Sequence, residues 1–563
     1  MSALSSGRGL GLVAGLVLLK LWLVSAQPIV AIGGAFYDDA LFIDLAKNVA
    51  QGDWLGPYQQ ATLMKGPAYP LWIAGLHRLG IPVPPAQHVL YLCACLLVLR
   101  ALRPLRLSWG VELGLFCLLW WNPMSYDLSV LGRVLRQHLY TPASLLAVAG
   151  GMALVARSGE EGVGVGKLAG WGLLGGVGFA VVWLTREESI WIVPTLVLFA
   201  GYALGSSRSG GAASRRAVLL ALLVGGAGGG ALIGTICGVN ARHYGWFGTV
   251  ELRATEFVAA YGALQRIDAG KALPFTPVNR AARERAYAVS PTFARLRERL
   301  EGPEALIWSA VSEPYTGRPR AEKEIAGGWF IWFFRESVVE VFRPKDAAAV
   351  LAVYAQIAAE INAACDDGRL EAGPRHDSLA PRLRPGDLGR LLHALPEYLD
   401  YFVTFRGFSA LPGRSSGTED LLEPFRRLTG WHLSSSPDAS ELTPPAGRWV
   451  EFRLGLLQAL GKGLRWICAA VALGGLAAWV GLVLHAVRQR RLGPSLIIST
   501  GVLGAWTAVV LVNAAVHVLS FPNRSVGALA QAYPLLLVFA GVALHEGCSI
   551  AFTKRPGGRA QGP

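Results

Sequence analysis

Residues 36–70 carry Phe36-Tyr37-Asp38-Asp39-Ala40-Leu41-Phe42, then Gln51-Gly52-Asp53-Trp54-Leu55, then Met64-Lys65-Gly66-Pro67-Ala68-Tyr69-Pro70. The stretch follows the first apolar run of the chain directly. Two adjacent carboxylates therefore stand where that run leaves a membrane, and a lysine stands just before the next apolar segment. Acids and a base at a membrane face suit chemistry on a lipid-linked phosphate. A solvated loop also carries charge, so position and context must separate the two readings.

The surrounding chain is a membrane protein by composition. Its 563 residues are 53% hydrophobic and 16% charged, and the mean hydropathy is +0.40, which points to a polytopic class. A span needs about 20 predominantly apolar residues. The runs that qualify are 10–32, 85–102, 107–122, 139–156, 168–185, 188–205, 216–238, 457–486, 495–518 and 529–548. The expected fold is thus all-α: a bundle of about ten transmembrane helices, with a mainly helical extracytoplasmic domain between spans seven and eight.

Loop charge orients this bundle. Arg100, Arg103 and Arg106, then Arg157 and Lys167, then Arg208, Arg215 and Arg216, then Arg488, Arg490 and Arg491, and finally Lys554, Arg555 and Arg559 fall on alternate connections. The positive-inside rule then puts both termini in the cytoplasm. Topology and attraction to anionic lipid account for much of the formal charge of +14, so no nucleic-acid partner is needed to explain it. Segment 66–80 is apolar but short. If it crossed, the Arg100–Arg106 cluster would fall outside, so it reads as an interfacial or re-entrant helix, with Trp72, His77 and Arg78 suited to an interface. Arg8 and Val24-Ser25-Ala26 resemble a signal peptide with its cleavage site. The apolar run continues to Ala35, however, which favours a retained anchor. The seven cysteines lie in or at the ends of spans except for Cys365, and imply neither a disulfide framework nor a metal site.

Three regions follow: 1–238 with seven spans and a first outer loop at 33–84, a hydrophilic segment 239–455 placed outside, and a three-span region 456–563. The outer segment reads mainly helical. Ser290-Pro291 caps a helix that Ala294–Leu300 continues. Residues 346–365 put Val350, Val353, Tyr354, Ile357 and Ile361 on one face, as a domain core would. The aromatic run Gly328–Phe334 either packs in that core or dips into the interface, and 429–447 reads as a loop.

Few charges lie within spans. The outer ends, by contrast, carry Asp38, Asp39, Lys65, Asp127, Arg133, Arg136, His138, Arg186, Glu187, Glu188, His517 and Arg524. A transporter coupled to ions usually has ionisable groups near the middle of the membrane; here the charge gathers at one face. Asp38 and Asp39 precede an expected helix, 40–51, whose N-terminus favours carboxylates. Each acid opposes ionisation of the other, so one of them can act as general base while the other orients an acceptor or a metal. Guanidinium groups suit phosphate, which makes Arg133, Arg136, Arg186 and Arg524 candidate phosphate ligands. Their alternative is a headgroup contact or, for Arg186, an ion pair with Glu187 or Glu188. Tyr69, Glu187 and His138 are candidate substrate contacts. No metal site is expected firmly, although an acid pair can hold a divalent cation.

Tyr37-Asp38-Asp39-Ala40, Ala46, Gly52-Asp53-Trp54, Lys65-Gly66-Pro67 and Tyr69-Pro70 together resemble the first outer loop of GT-C glycosyltransferases. These multi-span enzymes use polyprenyl-phosphate sugars; protein O-mannosyltransferases and the lipid A aminoarabinose transferase are examples. The match is close over residues 37–70 and looser across the first seven spans. This chain has Asp-Asp where the family usually has Asp-Glu, and Lys-Gly-Pro where some members have Lys-Pro-Pro. The 239–455 segment lies outside this match. The resemblance implies a GT-C-like bundle in the plasma (inner) membrane with its active site facing outside. It implies Asp38 as catalytic base, Asp39 as its support and Lys65 on the donor phosphate. The expected activity is inverting transfer of a sugar from polyprenyl phosphate to an acceptor hydroxyl on a glycan, lipid or protein. The alternatives are a non-catalytic lipid or glycan transporter, or flippase, and a scaffold that displays the outer segment.

Overall fold

The computed structural model describes residues 7–160, 164–208, 211–270, 273–436, 447–523 and 525–553. Arg524, most of the 429–447 loop (437–446) and the basic group Lys554, Arg555 and Arg559 lie outside the described residues. The chain is all-helical. The first region holds α1 (Gly7–Val24), α2 (Asp39–Gln51), α3 (Ala68–Arg78), α4 (Val83–Leu102), α5 (Trp109–Trp120), α6 (Gln137–Arg157), α7 (Val165–Thr185), α8 (Val193–Ser206) and α9 (Gly211–Tyr244). The middle segment holds α10 (Thr255–Arg266), α11 (Arg280–Val289), α12 (Pro291–Ala294), α13 (Arg297–Leu300), α14 (Pro303–Thr316), α15 (Gly327–Phe342), α16 (Ala347–Asp366), α17 (Asp387–Thr404) and α18 (Glu419–Thr429). The last region holds α19 (Arg448–Gln489), α20 (Pro494–Leu519), α21 (Val526–Leu529) and α22 (Ala532–Thr553). Among the described residues, nine helices are long and apolar enough to cross a membrane.

Eight of those nine fall on expected spans. The ninth is α16, and its apolar face is spent inside the middle segment: Val350, Tyr354, Ile357 and Ile361 are buried with Phe257, Phe330 and Phe334. The aromatic run packs in this same core through Phe330, Phe333 and Phe334, which decides between the two readings of it.

Local chemistry moves several boundaries. The first apolar run stays helical only to Val24. Pro28 disfavours helix at Gln27 before it, and the following residues are extended, bridging Ile29 to Leu433 and Ile32 to Ser416. The third expected span shortens to Trp109–Trp120, between the Ser108 cap and Asn122-Pro123. The helix expected from Ser290 breaks: Ser290 caps α12 by accepting from the Phe293 amide at 3.0 Å, but α12 ends at Ala294 and α13 begins only at Arg297.

The 239–455 segment does not stand apart from the bundle. Helix α17 lies against α19 and α20, and α18 lies against α2 and α3. Leu422, Phe425 and Leu428 of α18 share one apolar cluster with Ala40, Phe42, Tyr69 and Ile73. The first outer loop is therefore enclosed by chain that comes almost 400 residues later.

Candidate functional site

Helix α2 sets the acids. Asp38 occupies its N-cap position and Asp39 its first turn, where the helix dipole favours negative charge. Gly52 ends α2 in the left-handed conformation that glycine adopts without strain. Helix α3 is too short to span and folds back on α2. Its Arg78 donates to the Val49 and Ala50 carbonyls at 2.8 and 3.1 Å, meeting groups that the end of α2 leaves open.

The two acids have different surroundings. Asp38 is the accessible one, with 53% of its side-chain surface open, and Lys65 Nζ donates to its Oδ1 at 2.5 Å. Asp39 is fully buried. Arg133 grips it with two donors, Nε to Oδ2 at 3.1 Å and Nη2 to Oδ1. Burial works against the charge on Asp38, but Lys65 outweighs it and holds the carboxyl below its usual range. For Asp39 burial wins over Arg133, and its carboxyl is raised. Burial lowers the Lys65 ammonium below the ordinary lysine range, against the pull of Asp38.

Behind Lys65 the chain presses on the end of α7. A β-carbon at Gly66 would lie 2.1 Å from the Leu184 carbonyl oxygen, so only glycine fits there. The Gly66 amide donates to Glu187 at 3.3 Å. Arg136 Nη1 donates to both Glu187 oxygens at 2.8 Å and to the Thr185 carbonyl at 2.9 Å. Arg253 closes the C-terminal end of α7 by donating to the carbonyls of Trp183, Arg186 and Glu187. Arg186 pairs with Glu188 through Nη2 and lies 5.5 Å from the Tyr140 ring centroid. Its buried Nε and Nη1 have no partner.

The structure thus brings Asp38, Asp39, Lys65, Arg133, Arg136, Arg186 and Glu187 to one face, linked through loop and helix end. Tyr69 and His138 take a different place. Tyr69 is buried, accepts from Gln87 at 3.2 Å and meets Phe42 edge-on. The His138 ring Nε2 bonds the Leu131 carbonyl. Both line a small cavity of about 50 Å³ behind the acids, with Arg133, His88 and Asp127. A divalent cation fits poorly: each acid already takes a cationic side chain, and among the described residues no three His, Cys, Asp or Glu converge, whereas such an ion wants about six oxygen ligands.

Sequence reading missed what the middle segment supplies. Helix α15 lies over the first outer loop. Tyr37 donates to Glu336 at 2.5 Å and packs between Trp308 and Trp332, at 5.5 and 5.0 Å between centroids. Trp332 also faces Lys65 at 5.5 Å. Fully buried Arg335 pairs with fully buried Glu251 at 3.1 Å and donates to the Gln59 and Thr62 carbonyls, each at 2.8 Å. The aromatic run was a visible signal for α15; nothing local marked Arg335 or Glu336.

No protein-family model matches the chain, and no curated protein matches it. Two solved structures are similar: ArnT from Cupriavidus metallidurans bound to undecaprenyl phosphate, and ArnT from the same organism in the apo state. Each is 14% identical; they cover 97% and 96% of this chain, and 78% of each ArnT chain is covered, with a TM-score of 0.32.

Proposed function

We propose that the chain is an inverting glycosyltransferase of the GT-C kind, moving a sugar from a polyprenyl-phosphate donor to an acceptor hydroxyl. One arrangement carries this reading. An accessible carboxylate and a buried lysine pair at 2.5 Å, on the face where Arg186 holds two buried guanidinium nitrogens without a partner. In the reaction the acceptor hydroxyl gives its proton to Asp38. Its oxygen attacks the anomeric carbon opposite the phosphate, inverting the configuration. The bond from that carbon to the phosphate oxygen breaks, and its electron pair leaves with polyprenyl phosphate. Lys65 and Arg186 stabilise the charge that grows on the leaving group. Without donor, Lys65 holds Asp38 in its weakly basic form; a donor phosphate that shares Lys65 loosens that hold and raises the basicity of Asp38 as the site fills.

Donor binding tests the reading. Lys65→Ala and Arg186→Ala should each weaken binding of a polyprenyl-phosphate sugar by about 10- to 100-fold, the size expected for hydrogen bonds to a charged group. The double variant should lose less than the sum, because both act on one phosphate. If Arg186→Ala lowers only yield or thermal stability, Arg186 is merely the partner of Glu188. Translocation of the donor across proteoliposomes with no release of polyprenyl phosphate would make the chain a transporter.

The pH profile gives a second test. Asp38 must be unprotonated to act, so kcat/KM falls as pH drops through its lowered pKa. Lys65 must be protonated, so kcat/KM falls again as pH rises through its lowered pKa. The acid limb should therefore lie below the ordinary carboxylate range and the alkaline limb below the ordinary lysine range. Lys65→Arg, charged at every working pH, should remove the alkaline limb. An alkaline limb unchanged in Lys65→Arg would reject the assignment of Lys65.

A further inference from the structure

A second group of cations lies away from the acid pair, where α17 meets α19. Helix α19 is 42 residues long, about 63 Å at 1.5 Å per residue, and overshoots a hydrocarbon core of about 30 Å. Its stretch 466–487 contains no Asp, Glu, Lys or Arg, and Arg465 and Lys462 mark the end of that stretch toward the middle segment. There the turn after α17 presses on α19: a β-carbon at Gly461 would lie 2.3 Å from the Phe408 ring. Between the two is a cavity of about 230 Å³, lined by Thr404, Phe405, Arg406, Phe408, Lys462 and Arg465, among others.

Its charge is poorly answered. Arg406 has Asp400 at a loose 3.7 Å. Among the described residues no carboxylate lies within ion-pair distance of Lys462 or Arg465, and the buried Nε of Arg465 has no partner. Its surroundings are apolar and open. Leu388, Leu392, Leu399 and Val403 are exposed and fall on one face of α17 by helical spacing, while Trp466 and Ile467 are exposed on α19 beside Arg465. Arg465 stacks on Trp466 at 4.9 Å. In a soluble protein such a face would be a liability; here it belongs to a helix that packs against α19, which is long and apolar enough to cross a membrane. Amphipathic helix, interfacial tryptophan and clustered cations together are how a protein meets an anionic headgroup. The positive-inside rule acts against cations at an outer face, so three held together there have another cause.

We infer that this pocket seats the phosphate of an anionic phospholipid of the surrounding bilayer, with its acyl chains along Leu399, Val403 and Ile467. The site stands apart from the Lys65–Arg136–Arg186 group. From the acids it is reached through Arg133, the 126–133 loop and the 405–409 turn, where the Ser409 amide donates to Asp127 at 3.0 Å. It does not depend on the proposed activity.

Native mass spectrometry of the full chain, titrated with phosphatidylglycerol or phosphatidylcholine, tests it. Wild type should retain phosphatidylglycerol selectively. Lys462→Gln and Arg465→Gln should each lower retention about fivefold, the effect of one cation near an anionic lipid surface. Arg488→Gln, at the other end of α19, should leave it unchanged. All three side chains are partly or fully exposed, so the fold should survive, and Arg406→Gln offers an independent third variant. Equal retention by wild type and the Lys462→Gln/Arg465→Gln variant would overturn the site. Displacement of phosphatidylglycerol by equimolar undecaprenyl phosphate would overturn the bilayer lipid as occupant and give the pocket to a lipid-phosphate substrate.

Discussion

Membranes carrying Asp38→Asn should transfer sugar about 10²- to 10⁴-fold more slowly than wild type, the usual size of a lost general base, while still binding the donor. Asparagine keeps the shape of the side chain and can still accept from Lys65, but it cannot take a proton from the acceptor. Half of the Asp38 side-chain surface is open, so the fold loses little. Asp39→Asn should behave differently. That carboxylate is fully buried and takes both donors of Arg133; removing its charge leaves the guanidinium without its counter-ion, so stability and turnover should fall together. The two variants therefore separate catalysis from support: near-normal thermal unfolding with lost turnover at position 38, and both impaired at position 39. Near-normal turnover in Asp38→Asn membranes would sink the assignment of the base.

Local sequence gave away the parts of the site that obey local rules. Asp38 and Asp39 open α2 because an acidic pair suits a helix N-terminus. Lys65 is delivered by Lys-Gly-Pro, and the pressure of Gly66 on the Leu184 carbonyl explains why this chain has glycine there. Arg136 and Arg186 stood out by lying at span ends. What no window could show is the pairing between them: Arg136 reaches Glu187 across 51 residues, and Tyr37 reaches Glu336 across 299. The first joins the start of α6 to the end of α7 and the second joins the first loop to α15, and neither carries a period along the chain. The first span departs from its expected length for the opposite reason: hydropathy runs on past Val24, where the helix ends, because Pro28 disfavours helix just behind it. Helix α17 lay in between. Its leucine spacing is regular, but a hydrophilic average over 239–455 hid a helix that lies on the bundle.

Arg335 is where that long-range closure can be measured. It should be among the most damaging single substitutions in the middle segment, although it touches neither acid. Arg335→Met leaves Glu251 buried without its cation, and breaking a buried pair from one side costs about 3–5 kcal/mol. It also removes the donors to the Gln59 and Thr62 carbonyls, three to six residues before Lys65. The 59–65 loop should loosen, and Lys65 should lose its fixed place beside Asp38. Stability and placement can be told apart. In Arg335→Met/Glu251→Leu both charges are gone, and replacing a buried pair by apolar side chains is often neutral or better. Thermal stability should then largely return, but the two carbonyls still lack a donor. Turnover should stay low, and the alkaline limb of kcat/KM, set by Lys65, should shift from its wild-type position. Arg335→Lys, which can restore one donor and the charge, should recover part of both. If the double variant regains full turnover with a wild-type pH profile, Arg335 serves only the fold; if it stays impaired with its stability restored, the middle segment sets the geometry of the site.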